Sequence, residues 1–132
     1  MKYVLDTHTW FWSLAGWDHL PAKVRGILEN PRSAPFGLAA ISVWELAKLV
    51  EKERITLTIP LSDWIQRALD PDLIELLPLS PQIAVDATTL PGDFHSDPAD
   101  ELIIATARLN NATLITADKR ILAYDSVKTF WA

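Results

Sequence analysis

Apolar positions along this chain switch between two periods, and the switches divide it into short strands and helices. Residues 2–5, 36–41 and 113–116 are short apolar runs and predict strands, and residues 74–77 and 127–130 predict two more. Between them the spacing lengthens to that of a helix. Val24, Ile27 and Leu28 recur helically in residues 21–29, and Val43, Leu46, Leu49 and Val50 form an amphipathic stripe in residues 42–52. Residues 61–69, 81–90 and 98–109 predict further helices, the last ended by Asn110 and Asn111. Residues 8–15, rich in aromatics, and 119–124 predict a helical turn or two each. Nine prolines fall mostly at these boundaries. Strands that alternate with helices and are apolar throughout imply a parallel sheet covered on both faces.

Composition narrows the class. The 132 residues, 49% of them apolar, suit one domain with a sizeable core, and no repeat or linker interrupts them. The absence of cysteine excludes disulfides, zinc thiolate sites and cysteine nucleophiles, and fits a reducing cytoplasm. The N-terminus reads as a first strand rather than a leader, and no apolar run approaches the roughly 20 residues that span a bilayer, so a soluble protein is expected. Seventeen acids against 12 Lys and Arg give a formal net charge of −5. That balance argues against a nucleic-acid binder, unless several acids cluster and hold cations, which inverts the local field.

The positions of the acids then become decisive. In a parallel sheet of this kind, ligands bind outside the carboxyl ends of the strands. Asp6 follows the first strand, Glu45 lies one turn beyond the second, Asp97, Asp100 and Glu101 open the helix that starts at Pro98, and Asp118 follows the 113–116 strand. Each also has a purely structural explanation. Ser42-x-x-Glu45 matches a capping box, Asp97-Pro98 is an expected helix start, Asp100 complements the helix dipole, and Asp6 and Asp118 can cap the helices after them. Capping accounts for an acid at one helix start, but it does not require acids after several strands that share an edge. Gathering carboxylates is costly unless they are protonated or bind cations. Oxygen-only ligands suit hard ions, Mg²⁺ or Mn²⁺, which bind phosphates, activate water and stabilise a departing oxyanion. A carboxylate cage without an evident side-chain nucleophile therefore points to phosphodiester hydrolysis.

At these residues the sequence resembles a PIN domain of the VapC-toxin type. The matching segments are Val4-Leu5-Asp6-Thr7-His8, Ser42-Val43-Trp44-Glu45-Leu46, His95-Ser96-Asp97-Pro98-Ala99-Asp100 leading to Ile104-Ala105-Thr106-Ala107, and Leu114-Ile115-Thr116-Ala117-Asp118. They occur in the family's order and span nearly the whole chain, residues 1–132 forming one nuclease domain. The resemblance implies a three-layer α/β/α sandwich with a mainly parallel sheet, and an acidic pocket binding one or two Mg²⁺ or Mn²⁺ ions. It also implies an endoribonuclease acting on RNA, often tRNA or rRNA, a homodimer, and a cognate antitoxin that blocks the site. Asp6, Glu45 and Asp118 match the family's first, second and fourth acids. Asp100 matches the third, with Asp97 as the rival, and Thr116 matches a supporting hydroxyl. Asp6 and Asp100 are expected to hold the principal ion, and Glu45 and Asp118 to bind it directly or through water. The family often has Arg after the third acid; Glu101 stands there instead.

The remaining features have less specific readings. His8 and His95 are assigned packing or loop roles, and His19 none. Trp10, Trp12 and Trp17 read as core or as an apolar face buried against a second subunit or partner, the interface being favoured over an RNA-stacking platform. Lys48, Lys52 and Arg54, with Lys119 and Arg120, are the candidate phosphate contacts, although a solvated helix face explains each singly. The competing function is a non-catalytic binding module whose acids are caps. A response-regulator receiver needs paired acids after the first strand, and a haloacid-dehalogenase-type phosphatase needs Asp-x-Asp where this chain has Asp6-Thr7-His8; both are disfavoured.

Overall fold

The computed structural model of the chain describes residues 1–92, 94 and 96–132. The chain runs β1 (Tyr3–Leu5), α1 (Thr7–Ala15), α2 (Ala22–Glu29), β2 (Phe36–Ala39), α3 (Ala40–Glu51), α4 (Leu61–Ala68), β3 (Ile74–Leu77), α5 (Pro81–Thr88), α6 (Pro98–Leu109), β4 (Thr113–Ile115), α7 (Lys119–Leu122) and β5 (Thr129–Phe130). All strand pairs are parallel, in the order β3-β2-β1-β4-β5. The chain steps outward from β1 through β2 to β3, then returns across the sheet to place β4 on the other side of β1. Strand order therefore reverses about β1, and the crevice at the carboxyl ends of β1 and β4 is the switch point where such sheets bind ligands.

Alternation along the strands sends neighbouring side chains into two cores. Val4 and Leu114 join Ile103, Ile104 and Ala107 of α6 and Ile121 of α7 on one face. Leu5 and Ile115 join Trp10 of α1, Val24 of α2, Leu46 of α3 and Ala68 of α4 on the other. A smaller cluster of Ile83, Ala87 and Ala105 packs α5 against α6. The result is an α/β/α sandwich. Arg108 reinforces the α5–α6 pair, its guanidinium 2.9 Å from Asp86 Oδ2 and donating to the Ser126 carbonyl at 2.6 Å. Gly37 is dictated by close approach within the sheet: an added Cβ would stand 2.6 Å from Met1 Sδ and 2.9 Å from Leu77 Cδ1.

The expected elements are present, with shifts at their ends, and one shift changes a residue's role. The second strand stops at Ala39 and α3 begins at Ala40, without a side-chain cap. Ser42 is therefore inside the helix and buried, so the capping box expected of Ser42 and Glu45 does not form. The apolar run 36–41 hid the boundary because Ala39, Ala40 and Ile41 continue it without a turn former. At the far end of α3, Glu53 adopts a left-handed φ of 59° and Arg54 N donates to the Leu49 carbonyl at 2.9 Å, the geometry of a helix C-terminus usually closed by glycine. The α6 end likewise turns through Asn111, at φ 50°.

Trp10, Trp12 and Trp17 do not share one outward face. Trp10 is fully buried, edge-on to Trp64, and its indole N–H donates to the Ala68 carbonyl at 3.3 Å. Trp12 stacks on His19 at 4.9 Å between ring centroids and leans on Trp131, while Trp17 is partly exposed. Removing the Trp10 ring opens a core cavity. Trp10→Ala is expected to lower stability by about 3–5 kcal/mol in urea denaturation, and a loss below about 1 kcal/mol would place the indole outside the cooperative core.

Candidate metal centre

Two buried threonines fasten the carboxyl ends of the central strands. Asp6 leaves β1 in extended conformation and caps α1: its Oδ1 accepts from Thr7 N at 2.8 Å. Its Oδ2 accepts from Thr116 Oγ1 at 2.6 Å, across the junction with β4. Thr116 is fully buried, and its Oγ1 in turn accepts from Asp118 N at 3.1 Å. Asp118 caps α7, its Oδ1 accepting from the Arg120 and Ile121 amides at 2.8 and 3.1 Å. The Thr116 hydroxyl thus links the first and last of the acids that follow strands.

Thr7 performs the matching task toward α3. Its buried Oγ1 donates to Glu45 Oε1 and lies 2.9 Å from the buried Ser42 Oγ. Glu45, on the second turn of α3, therefore points back at the sheet rather than capping a helix. From α6, Asp97 Oδ1 accepts from Asp100 N at 2.9 Å as the N-cap, and Asp100 Oδ2 accepts from Ser96 Oγ at 2.6 Å. Four separate segments deliver these carboxylates. Asp6, Glu45, Asp97, Asp100 and Asp118 line one cavity of about 400 Å³, completed by His8, Trp12 and Ala117. Within it Glu45, Asp97 and Asp100 each present an oxygen within 4.8 Å of the others'.

Electrostatics record the crowding. Burial pushes the Asp6 carboxyl above its ordinary value; the Thr116 hydroxyl, the Thr7 amide and the charge of His8 oppose this, and Asp118 adds to it. Glu45 is raised to about 7, chiefly by desolvation, against the Thr7 hydrogen bond and with Asp6, Asp100 and Asp97 adding repulsion. Asp100 is raised to about 6, again first by desolvation, with Ser96 opposing and Asp97, Asp6 and Asp118 repelling. Carboxylates held in this way are stabilised by a proton or by a cation. The donor set fits a hard divalent ion: every candidate ligand is a carboxylate oxygen and several converge within coordination reach of a common point.

All six sequence-named site residues, Thr116 included, meet at this pocket or directly brace it. Glu101 is half-buried on α6 and does not line the cavity. His8, assigned to packing, does lean on Trp12 at 5.5 Å between ring centroids, and it also stands in the pocket wall. His95 lies outside the described residues. Thr7, Ser42 and Ser96 were not anticipated. For Thr7 the signal was available: a hydroxyl directly after a strand-terminal acid is positioned like Thr116, two residues before Asp118.

The PIN-domain profile matches residues 3–127. Over 121 residues, 92% of this chain and 90% of the relative, the sequence is 36% identical to ribonuclease VapC22 of Mycobacterium tuberculosis. The fold is similar to that in a structure of VapBC2 from Rickettsia felis bound to a promoter DNA fragment, at a TM-score of 0.75 and 19% identity, covering 100% of both chains. It is also similar to DNA-bound VapBC from Salmonella typhimurium, at a TM-score of 0.72 and 16% identity over 98% of this chain and 97% of that one. On the profile match and the VapC22 likeness, the chain belongs to the PIN-domain family.

Proposed function

We propose that the chain is a divalent-metal-dependent endoribonuclease, the toxin of a toxin–antitoxin pair, which hydrolyses RNA phosphodiester bonds at the acidic pocket. The observation that carries this reading is the convergence of Asp6, Glu45, Asp97, Asp100 and Asp118 on one cavity at the switch point of the sheet, in a chain similar to a VapC ribonuclease. The alternative, a binding module whose acids are helix caps, accounts for only part of the set. Asp6, Asp97 and Asp118 do cap helices. Glu45 and Asp100 cap nothing, and both are held at a cost that a cap does not explain.

Asp6 and Asp100 hold the principal ion, Mg²⁺ or Mn²⁺, with Glu45 and Asp118 as further ligands and Asp97 in support. When bound, such an ion supplies charge neutralisation to the phosphate, activation to water and stabilisation to the departing oxygen. The chain's own groups prepare the site. Thr116 and the Thr7 amide fix both Asp6 oxygens, so the carboxylate keeps its orientation without help from a ligand. Thr7 does the same for one oxygen of Glu45. The 3′-hydroxyl is the leaving group, and RNA of the tRNA or rRNA class is the substrate. The likeness of the fold to VapBC structures supports an antitoxin partner. Pairing as a homodimer belongs to the same proposal. Among the described residues no helix is long and apolar enough to cross a membrane.

Titration with Mn²⁺ while following cleavage of labelled RNA tests the reading directly. Asp6→Asn is expected to lose at least about a hundredfold in rate, the scale on which a lost metal or charge-stabilising group is felt; equal cleavage by the two proteins would leave only the binding-module reading. Asp97 and Asp100 separate cleanly because asparagine is as good an N-cap as aspartate. Asp97→Asn keeps the α6 cap and is expected to retain most activity, whereas Asp100→Asn abolishes it. The opposite result would make Asp97 the third ligand.

Stability without metal should depend on pH with a definite sign. Glu45 and Asp100 titrate in the folded protein at about 7 and about 6, above their ordinary values of 4.5 and 3.8. The native state thus holds protons that the unfolded chain has released. Their contribution is complete below about pH 4 and is lost as pH rises through 6 to 7. In EDTA the melting temperature is expected to fall between about pH 5 and about pH 8, with Mn²⁺ restoring it mainly at the upper end. A melting temperature in EDTA that is flat or rises over that window would contradict the assigned burial of these acids.

A further inference from the structure

A second concavity of about 540 Å³ opens beside the acidic pocket, sharing Glu45 and Asp97 with it. Its long wall is one face of α3, where Ile41, Trp44, Lys48 and Lys52 recur at helical spacing, and Pro98 and Ala99 at the start of α6 form the other side. Three features set it apart from a solvated helix face. Trp44 is exposed over 54% of its surface, although tryptophan is a residue that folding normally covers. Lys48 Nζ stands 5.9 Å from the Trp44 ring centroid, placing a positive charge beside an open aromatic surface. The left-handed turn at Glu53 folds the chain back at the end of α3, so that Arg54 joins Lys48 and Lys52 in the same concavity.

We infer that this groove binds one unpaired nucleotide segment of the RNA next to the cut, with a base stacked on Trp44 and its phosphates on Lys48, Lys52 and Arg54. The inference rests on the ribonuclease reading of the adjoining pocket. Charge complementarity selects the occupant. The chain has a net charge of −5, yet the charged side chains running away from the acids along this groove are three cations. A basic peptide seeking the carboxylates by this route would have to pass those cations, whereas a polyanion is drawn along them. Lys52 caps the end of α3 seven positions on from Glu45, about 10 Å of rise, which is of the order of two nucleotide steps along an extended strand. A duplex cannot offer a base face to Trp44 without unpairing, so the groove requires a single-stranded flank. Lys48 also pairs with Glu51 at 2.8 Å, but both partners are solvent-accessible, so the lysine can exchange to a phosphate at little cost.

The test measures binding rather than turnover. Full-length Asp6→Asn protein in Mg²⁺ is titrated against a short fluorescein-labelled oligoribonucleotide, single-stranded or annealed to its complement, by fluorescence anisotropy at several salt concentrations. The single strand is expected to bind more tightly than the duplex. Adding Trp44→Ala should weaken it about tenfold, while Trp44→Phe keeps most of the affinity. Lys52→Ala with Arg54→Ala should flatten the dependence of log Kd on log salt by about 1.4, about 0.7 for each charge. Unchanged affinity and slope in these variants, or equal binding of duplex and single strand, would overturn the groove assignment. So would loss of a co-expressed antitoxin with RNA binding intact, which would make the surface a protein dock. The two readings fail separately: a wild-type protein that binds through Trp44 but never cuts RNA refutes the nuclease, and one that cuts RNA with Trp44→Ala leaving Kd and KM untouched refutes the groove.

Discussion

A hydroxyl proton shared between two strands holds the centre of this molecule together. Thr116, fully buried at the end of β4, donates to Asp6 at the end of β1, and the same oxygen accepts the amide of Asp118. That arrangement requires the β1–β4 register in which Leu5 pairs with Ile115. A slip of one residue would send Thr116 to the opposite face of the sheet and leave Asp6 buried without its strongest partner. Thr7 repeats the device toward α3, where it meets Ser42 and Glu45. The pocket is therefore built from neutral hydroxyls that hold charged groups in place. Such donors lower the cost of burying carboxylates without neutralising them, which leaves the negative charge available to a cation.

The fold and the acids were legible to different depths. Period changes marked the strands and helices because the central strands β1, β2 and β4 are buried on both faces and the helices mainly on one, and each burial pattern leaves its own spacing. The junction between β2 and α3 was not legible. Ala39, Ala40 and Ile41 satisfy a strand and a helix equally, and the Ser42-to-Glu45 spacing imitated a cap one turn too late. Asp6, Asp97 and Asp118 fulfil both of their competing readings at once, as caps and as pocket walls. The two readings conflict less than their separate statement suggests: a helix N-terminus orients the acid that caps it, and the carboxylate so held still lines the pocket beyond the strand end. The partnership of Thr7 with Glu45 spans 38 positions and leaves no local trace. Only the topology reveals it.

The same crowding that prepares the pocket for a cation works against the folded state when none is present. Glu45 at about 7 and Asp100 at about 6 hold their protons to higher pH than ordinary carboxyls, first because burial disfavours the charged form and then because Asp6 and the other neighbouring carboxylates repel it. Proton and metal ion thus compete for the same oxygens, and occupancy by either relieves the repulsion.

Net charge is a poor guide to partners when one site contains so much of it. Asp6, Glu45, Asp97, Asp100 and Asp118 together carry as much formal charge as the whole chain's net −5. With these five of the 17 acids neutralised by cations or protons, the remaining 12 balance the 12 Lys and Arg, and local groups of charge decide what each part of the surface attracts. Lys48, Lys52 and Arg54 then stand beside a pocket whose field has been inverted, and Trp44 adds an uncharged face in the same groove. An acidic protein can in this way present a polyanion with a continuous favourable path, because attraction at the distances that matter is set by the nearest few charges and screened beyond about 10 Å.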